Sequence, residues 1–191
     1  MMKQRKEITG ARVLKIALLE IFGGISLFCF LLYMTVKTKS TSLQKEEPFQ
    51  AILNKPQTLL RDVELFDEEL STNDDFPNIM TDQYQHNFTN LQGRLKIPKP
   101  DVTYIAKIPA GQQVVFRKAI MYTNGVSGGS TPCLFGTIRY NDREYKVEYQ
   151  WGDQSISRRS DNIPESWSFA MAPWQPAIDL TFYELPIAEW W

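Results

Sequence analysis

A chain of 191 residues with 21 basic side chains, 22 acidic ones and a single histidine carries a formal charge of −1. No basic stripe with interleaved aromatics, through which proteins grip nucleic acid, runs along it. One histidine and two cysteines, Cys29 and Cys133, set far apart, exclude a zinc site built from its usual ligands.

The charge is unevenly spread. Residues 1–45 carry +6, residues 46–90 carry −8 and residues 91–191 carry +1. Such steps divide the chain into a basic leader, an acidic middle and a balanced domain.

An apolar run covers residues 16–36, with Glu20 its one charge. About 20 apolar residues in a helix cross the hydrocarbon core of a bilayer. Lys3, Arg5, Lys6, Arg12 and Lys15 precede the run, and Lys37, Lys39 and Lys45 follow it. The heavier basic flank stays inside, so residues 1–15 read as a cytoplasmic tail and residues 16–36 as a transmembrane signal-anchor. A removable signal peptide would need a shorter apolar core and a small-x-small cleavage site. The chain is therefore expected in the cell membrane, single-pass, with its C-terminal domain extracytoplasmic. Cys29 falls in the anchor and Cys133 in the domain, so they cannot bridge. A domain outside the cytoplasm without an internal disulfide fits a bacterial envelope.

Residues 37–57 are polar and contain Pro48 and Pro56, which reads as a stalk with a short helix over 49–54. From Thr58, Leu59, Val63, Phe66 and Leu70 recur at steps of four, three and four, the spacing of an amphipathic helix. Its other faces would carry Asp62, Glu64, Asp67, Glu68 and Glu69, an acidic surface suited to a protein partner. Residues 71–93 follow as an irregular polar linker, completing an acidic unit over 58–93.

From residue 94 the period becomes two. Strands are expected over 102–108 and 114–122, the second with Val114, Phe116, Ile120 and Tyr122 on one face and an interruption at Lys118. A Gly/Ser loop at 123–132 comes next. Residues 144–151 alternate cleanly, and Asn141-Asp142 before them suits a two-residue hairpin turn. That turn pairs Tyr140 with Arg143. It sets Ile138, Gly136 and Leu134 opposite Tyr145, Val147 and Tyr149, and Arg139 opposite Glu144. Two further strands are expected near 167–171 and 178–184. The fold expected is α+β, mainly β. One transmembrane helix and one amphipathic helix precede a small antiparallel β-barrel or sandwich over 94–191.

Gly125-Val126-Ser127-Gly128-Gly129 matches G-x-S-x-G in form. A nucleophile elbow needs a helix after it and a later histidine, whereas His86 comes earlier, so the segment reads as a glycine loop. The acids between 62 and 82 lack the spacing of a calcium loop. Cys133 reads as a small core residue. No catalytic, cofactor or metal residue is assigned. Of the tryptophans, Trp151 and Trp167 are expected in the core. Trp174 lies in a proline-flanked loop that is harder to bury, and Trp190 and Trp191 stand last. Exposed aromatics would suit a protein partner or a sugar face.

The function expected is a non-catalytic, membrane-anchored interaction domain of a cell-envelope assembly (secretion, pilus, regulatory or toxin-neutralising). Its contacts would be Asp62, Glu64, Asp67, Glu68, Glu69, Trp174, Trp190 and Trp191. The alternative is a domain that binds or senses cell-wall glycan or a small amphiphile.

Overall fold

The computed structural model describes the backbone of residues 10–69, 72–158 and 163–187, and their side chains outside 155–165. The apolar run forms one helix, α1 (Gly10–Val36), with none of its residues buried. At 1.5 Å per residue its 27 residues reach about 40 Å, and it is long and apolar enough to cross a membrane.

Beyond α1 the molecule is mixed α+β, mainly β. The elements are β1 (Lys39–Ser42), α2 (Phe49–Ile52), β2 (Pro56–Thr58), β3 (Val63–Glu68), β4 (Asn78–Thr81), α3 (His86–Arg94), β5 (Val102–Ile108), β6 (Gln113–Thr123), β7 (Ser130–Tyr140), β8 (Arg143–Gln150), β9 (Asp153–Arg158) and β10 (Ile163–Ser168). Eight strands form one sheet in the order β1-β6-β7-β8-β4-β3-β5, with β2 also on β6. β9 and β10 make a separate two-stranded sheet.

The β7–β8 hairpin has the register expected from its residues. Tyr140 faces Arg143, Arg139 faces Glu144 and Ile138 faces Tyr145. Asn141 and Asp142 both take positive φ, 50° and 57°, the conformation of a type I′ turn, which matches the twist of the flanking strands.

Several expectations are corrected. The sheet is open rather than a closed barrel. β5 and β6 follow one another without pairing, because Leu59 takes the backbone bonds of the turn between them. Gly111 N donates to Leu59 O at 2.7 Å, and Leu59 N donates to Gln112 O at 2.8 Å.

The amphipathic helix of 58–70 is instead strand. Val63 and Leu65 point into the main core, while Glu64, Phe66 and Glu68 point to the opposite side. The spacing of Val63 and Phe66 fits a helix, but Leu65 between them is also fully buried, which needs two faces rather than one stripe. Leu70 lies outside the described residues. The helix of this region is α3, inside the stretch expected as linker. Its Leu91 packs with Phe66, Ile79 and Val102.

The stretch expected as a stalk belongs to the domain. β1 pairs with β6, and Leu43, Phe49 and Leu53 are buried in the main core. Near 178–184 a single bridge, Tyr183 to Trp167, stands in place of a strand.

In β6 a bulge between Phe116 and Lys118 shifts the phase. Ala119 and Met121 therefore join Val114 and Phe116 in the core, while Ile120 and Tyr122 turn to the other face. Gly136 of β7 sits against this bulge. A Cβ there would fall 2.2 Å from the Val115 carbonyl oxygen, so only glycine lets the two strands close.

The main core is aromatic. Trp151 lies between Phe49, Phe169 and Trp174, at centroid distances of 5.8, 4.7 and 5.6 Å. Its indole N–H donates to Ala170 O at 2.9 Å. Edge-on packing of this kind favours one arrangement of the rings over its alternatives.

Candidate functional site

The acidic residues gather around β3 and β5, and strand geometry sorts them. Glu64 and Glu68 leave the sheet on the side of α3, where side chains from that helix meet them. Gln92 donates to Glu64 Oε2 at 2.7 Å. Arg94 bonds Glu68 and forks onto Asp101, with Nε to Oδ1 at 3.0 Å and Nη2 to Oδ2 at 2.7 Å. The hydrogen bonds to Arg94 hold the Asp101 carboxyl below its usual range, and the same bonds raise the guanidinium.

Asp62, in the turn before β3, accepts from Ala110 N at 3.0 Å and pairs with Lys107 at 3.0 Å. The backbone bond, and then Lys107, lower its pKa. Asp67 and Glu69 differ: both are exposed, and neither side chain has a hydrogen bond or ion pair among the described residues.

β5 ends the order of the sheet, so its outer backbone edge is free of a strand among the described residues. Asp67 sits beside Thr103 of this strand, and Glu69 N donates to Asp101 O at 3.1 Å. The two unpaired acids thus lie beside the start of β5, on its β3 side, one strand in from the open edge. An edge of this kind accepts an extended segment by main-chain hydrogen bonds, and nearby charge selects its sequence.

A cleft of about 330 Å³ adjoins this surface, lined by Arg61, Glu64, Asp82, Tyr84, Phe88 and Lys107 among others. Arg61 organises it. Nη2 donates to Met171 O at 2.6 Å and reaches Asp82 Oδ2 at 3.3 Å, and the guanidinium lies 4.9 Å from the Tyr84 ring centre. Asp82 is 3 % exposed, and that burial raises its carboxyl despite Arg61 and the Tyr84 N–H at 3.0 Å. The cation is occupied in holding the 171–175 segment, so the cleft is mixed in charge.

On the same side of the sheet as α3 runs a polar chain in which Cys133, Glu148 and Thr81 are buried and Gln150 and Asn87 half-buried. Cys133 Sγ donates to Glu148 Oε1 at 3.5 Å, and Gln150 Nε2 donates to it at 3.2 Å. Asn87 Nδ2 reaches Gln150 Oε1 at 3.4 Å, and Thr81 Oγ1 donates to Asn87 Oδ1 at 2.8 Å. Burial pushes both the Cys133 thiol and the Glu148 carboxyl up, so the sulfur is a protonated donor rather than a nucleophile.

The remaining residues singled out in the sequence fall as follows. Trp174 is 8 % exposed and packs on Phe116 and Tyr149 at 5.0 and 5.1 Å, in the core rather than on the surface. Its loop is tied to the domain at Pro173, whose carbonyl oxygen accepts from Leu60 N at 2.7 Å. Trp190 and Trp191 lie outside the described residues. Ser127 is in a loop that leads into strand β7, and His86 is exposed at the start of α3. Sequence reasoning missed Arg61, Asp82, Gln92, Arg94 and Glu148. Arg94 carried one local signal, a cation in the last turn of an uncapped polar helix; the others are defined by partners distant in sequence.

Comparison with known protein families, curated proteins and solved structures gives no match for this chain.

Proposed function

We propose that this chain is a non-catalytic, membrane-anchored protein-interaction domain, with α1 as its anchor, its N-terminus cytoplasmic and its β-rich part outside. We assign it as an accessory subunit of a cell-envelope assembly. The observation that carries the reading is the free edge of β5 beside two unpaired acids, Asp67 and Glu69. The partner it fits is an extended segment with basic side chains, added to β5 as a further strand. The buried, protonated thiol of Cys133 and the strand that follows Ser127 favour binding over nucleophilic catalysis. Burial of Trp174 takes away the ring face on which a sugar would stack, so the glycan reading has lost its main residue.

Site-specific photo-crosslinking in intact cells tests this. The full-length chain carries the crosslinker at Thr103, on the free edge, or at Asn141, on a distant turn. A protein adduct from Thr103 that is missing from Asn141 and from a Thr103 sample bearing Asp67→Lys and Glu69→Lys is the expected result. Equal adducts from both positions, or adducts indifferent to the charge reversal, would remove β5 as the interface.

A further inference from the structure

The last turn of α1 touches the loop at residues 124–129. Gly125 is buried there, and a Cβ on it would fall 2.6 Å from Thr35 O and 2.7 Å from Lys37 O. Only glycine lets two backbones come this close.

The contact has a defined depth. The apolar run stops at Val36. Tyr33 and Lys37, with the ammonium 5.9 Å from the ring centre, are the aromatic and basic types that anchor a helix at the head-group level. The loop is held at that same level. β1 starts three residues past the end of the helix and pairs at once with β6, Lys39 against Thr123, next to the loop itself. The sheet is therefore tied to the end of α1 from two directions.

The loop is also suited to a region poor in water. Val126 N and Ser127 N donate to Asn124 Oδ1 at 2.8 and 3.0 Å. Gly128 N donates to Asn124 O at 2.9 Å, Asn124 N to Gly129 O at 2.9 Å and Gly129 N to Ser127 Oγ at 3.2 Å. Five of the loop's backbone N–H groups are thus satisfied within the chain, which lowers the cost of leaving water. At the tip stands Val126, 78 % exposed.

From this geometry we infer that the 124–129 loop is a lipid-contact site. Val126 enters the boundary between head groups and acyl chains of the bilayer that holds α1. The domain is thereby seated with its β6–β7 turn on the membrane and its Asn141-Asp142 turn away from it. Strand β7, of 11 residues, separates the two turns by about 36 Å. The inference rests on α1 being the anchor.

The test uses the full-length chain in vesicles of phosphatidylcholine and phosphatidylglycerol that contain lipid spin-labelled high on the acyl chain. An environment-sensitive nitrobenzoxadiazole dye is placed on native Cys29, or, in a Cys29→Ser background, on Val126→Cys or Asp142→Cys. Cys133 is 1 % exposed and stays unlabelled. The expected result is a blue-shifted, strongly quenched dye at Val126→Cys and a water-like, unquenched dye at Asp142→Cys. A water-like dye at Val126→Cys, with Cys29 shielded in the bilayer, would overturn the lipid contact and leave the anchor standing. A water-like dye on Cys29 would overturn both. Gly125→Val supplies a second arm, since it forces the loop off the helix and should return the dye at Val126→Cys toward water.

Discussion

The two faces of the large sheet are built on opposite principles. One face buries Phe49, Phe116, Tyr149, Trp151, Trp167 and Trp174 in a single apolar cluster. The other has a small apolar patch of Phe66, Ile79, Leu91 and Val102, and beside it the polar chain from Cys133 through Glu148 to Thr81. The first face supplies stability, since apolar burial contributes roughly 25 cal/mol per Å². The second contributes less and costs more, because each buried polar group must keep its partner. It is also the face that carries α3, and with it the clamp that shapes the β3–β5 surface. The candidate interface, the outer edge of β5 near Asp67 and Glu69, lies at the rim of the sheet, outside both clusters.

The largest effect in this comparison should come from the apolar face. Trp151→Ala removes the ring on which Phe49, Phe169 and Trp174 all rest. The expected loss is about 3–5 kcal/mol by urea unfolding. A loss under about 1 kcal/mol would mean that the aromatic cluster is not what holds the domain.

Next is the seam between the faces. Arg61→Ala leaves Asp82, 2 % exposed at its side chain, without its cation and frees the Met171 and Gln175 carbonyls. Breaking a largely buried pair from one side costs about 3 kcal/mol. Hydrogen exchange should locate the damage at 170–176, with Leu60 N, bonded to Pro173 O, losing protection. Uniform loss of protection across the sheet would contradict the assigned role of Arg61 as a local clip.

The polar face should show itself through pH. Burial raises the Glu148 carboxyl above its ordinary value of 4.5. The folded state then holds this proton more tightly than the unfolded chain does. The contribution of Glu148 is full below pH 4.5 and is lost as pH rises through the raised folded value. Asp82, raised in the same way, adds a parallel slope, while Asp62 and Asp101, both lowered, act in the opposite sense. The difference between wild type and Glu148→Gln isolates one group. The variant should gain on wild type as pH rises above 4.5 in a urea series, and a constant difference across that series would mean that folding does not raise the Glu148 carboxyl.

How much of this could be read from the residues follows from how far apart the partners lie. The β7–β8 hairpin was legible because turn chemistry and alternation sit within one short stretch, and the pairs from Leu134–Tyr149 to Tyr140–Arg143 follow from Asn141-Asp142 alone. β3 was not legible as a strand, because Val63 and Phe66 fit a helical step as well as two faces of a sheet. α3 offered only Phe88 and Leu91 as apolar signals in a polar sequence. Glu148 alternates with Val147 and Tyr149 as a solvent-facing residue would, and is buried only because residues far away in sequence cover that face. The acids of the candidate site were visible by identity. Which of them are free was not, since Gln92, Arg94 and Lys107 reach them across the fold.

That last distinction gives the smallest effect on stability and the sharpest separation of fold from interface. Glu68 is tied to Arg94, so Glu68→Lys sets a cation against a guanidinium and should cost about 1 kcal/mol, with α3 loosened in hydrogen exchange. Asp67 and Glu69, one residue to either side, project into solvent with no such tie. Asp67→Lys with Glu69→Lys should leave the unfolding midpoint within about 0.5 kcal/mol of wild type. If the β5 edge is the interface, the crosslink from Thr103 disappears in the double variant although its stability is untouched. In Glu68→Lys it weakens only as far as α3 loosens. A double variant as destabilised as Glu68→Lys would place these two acids inside the polar face rather than on a surface kept apart from it.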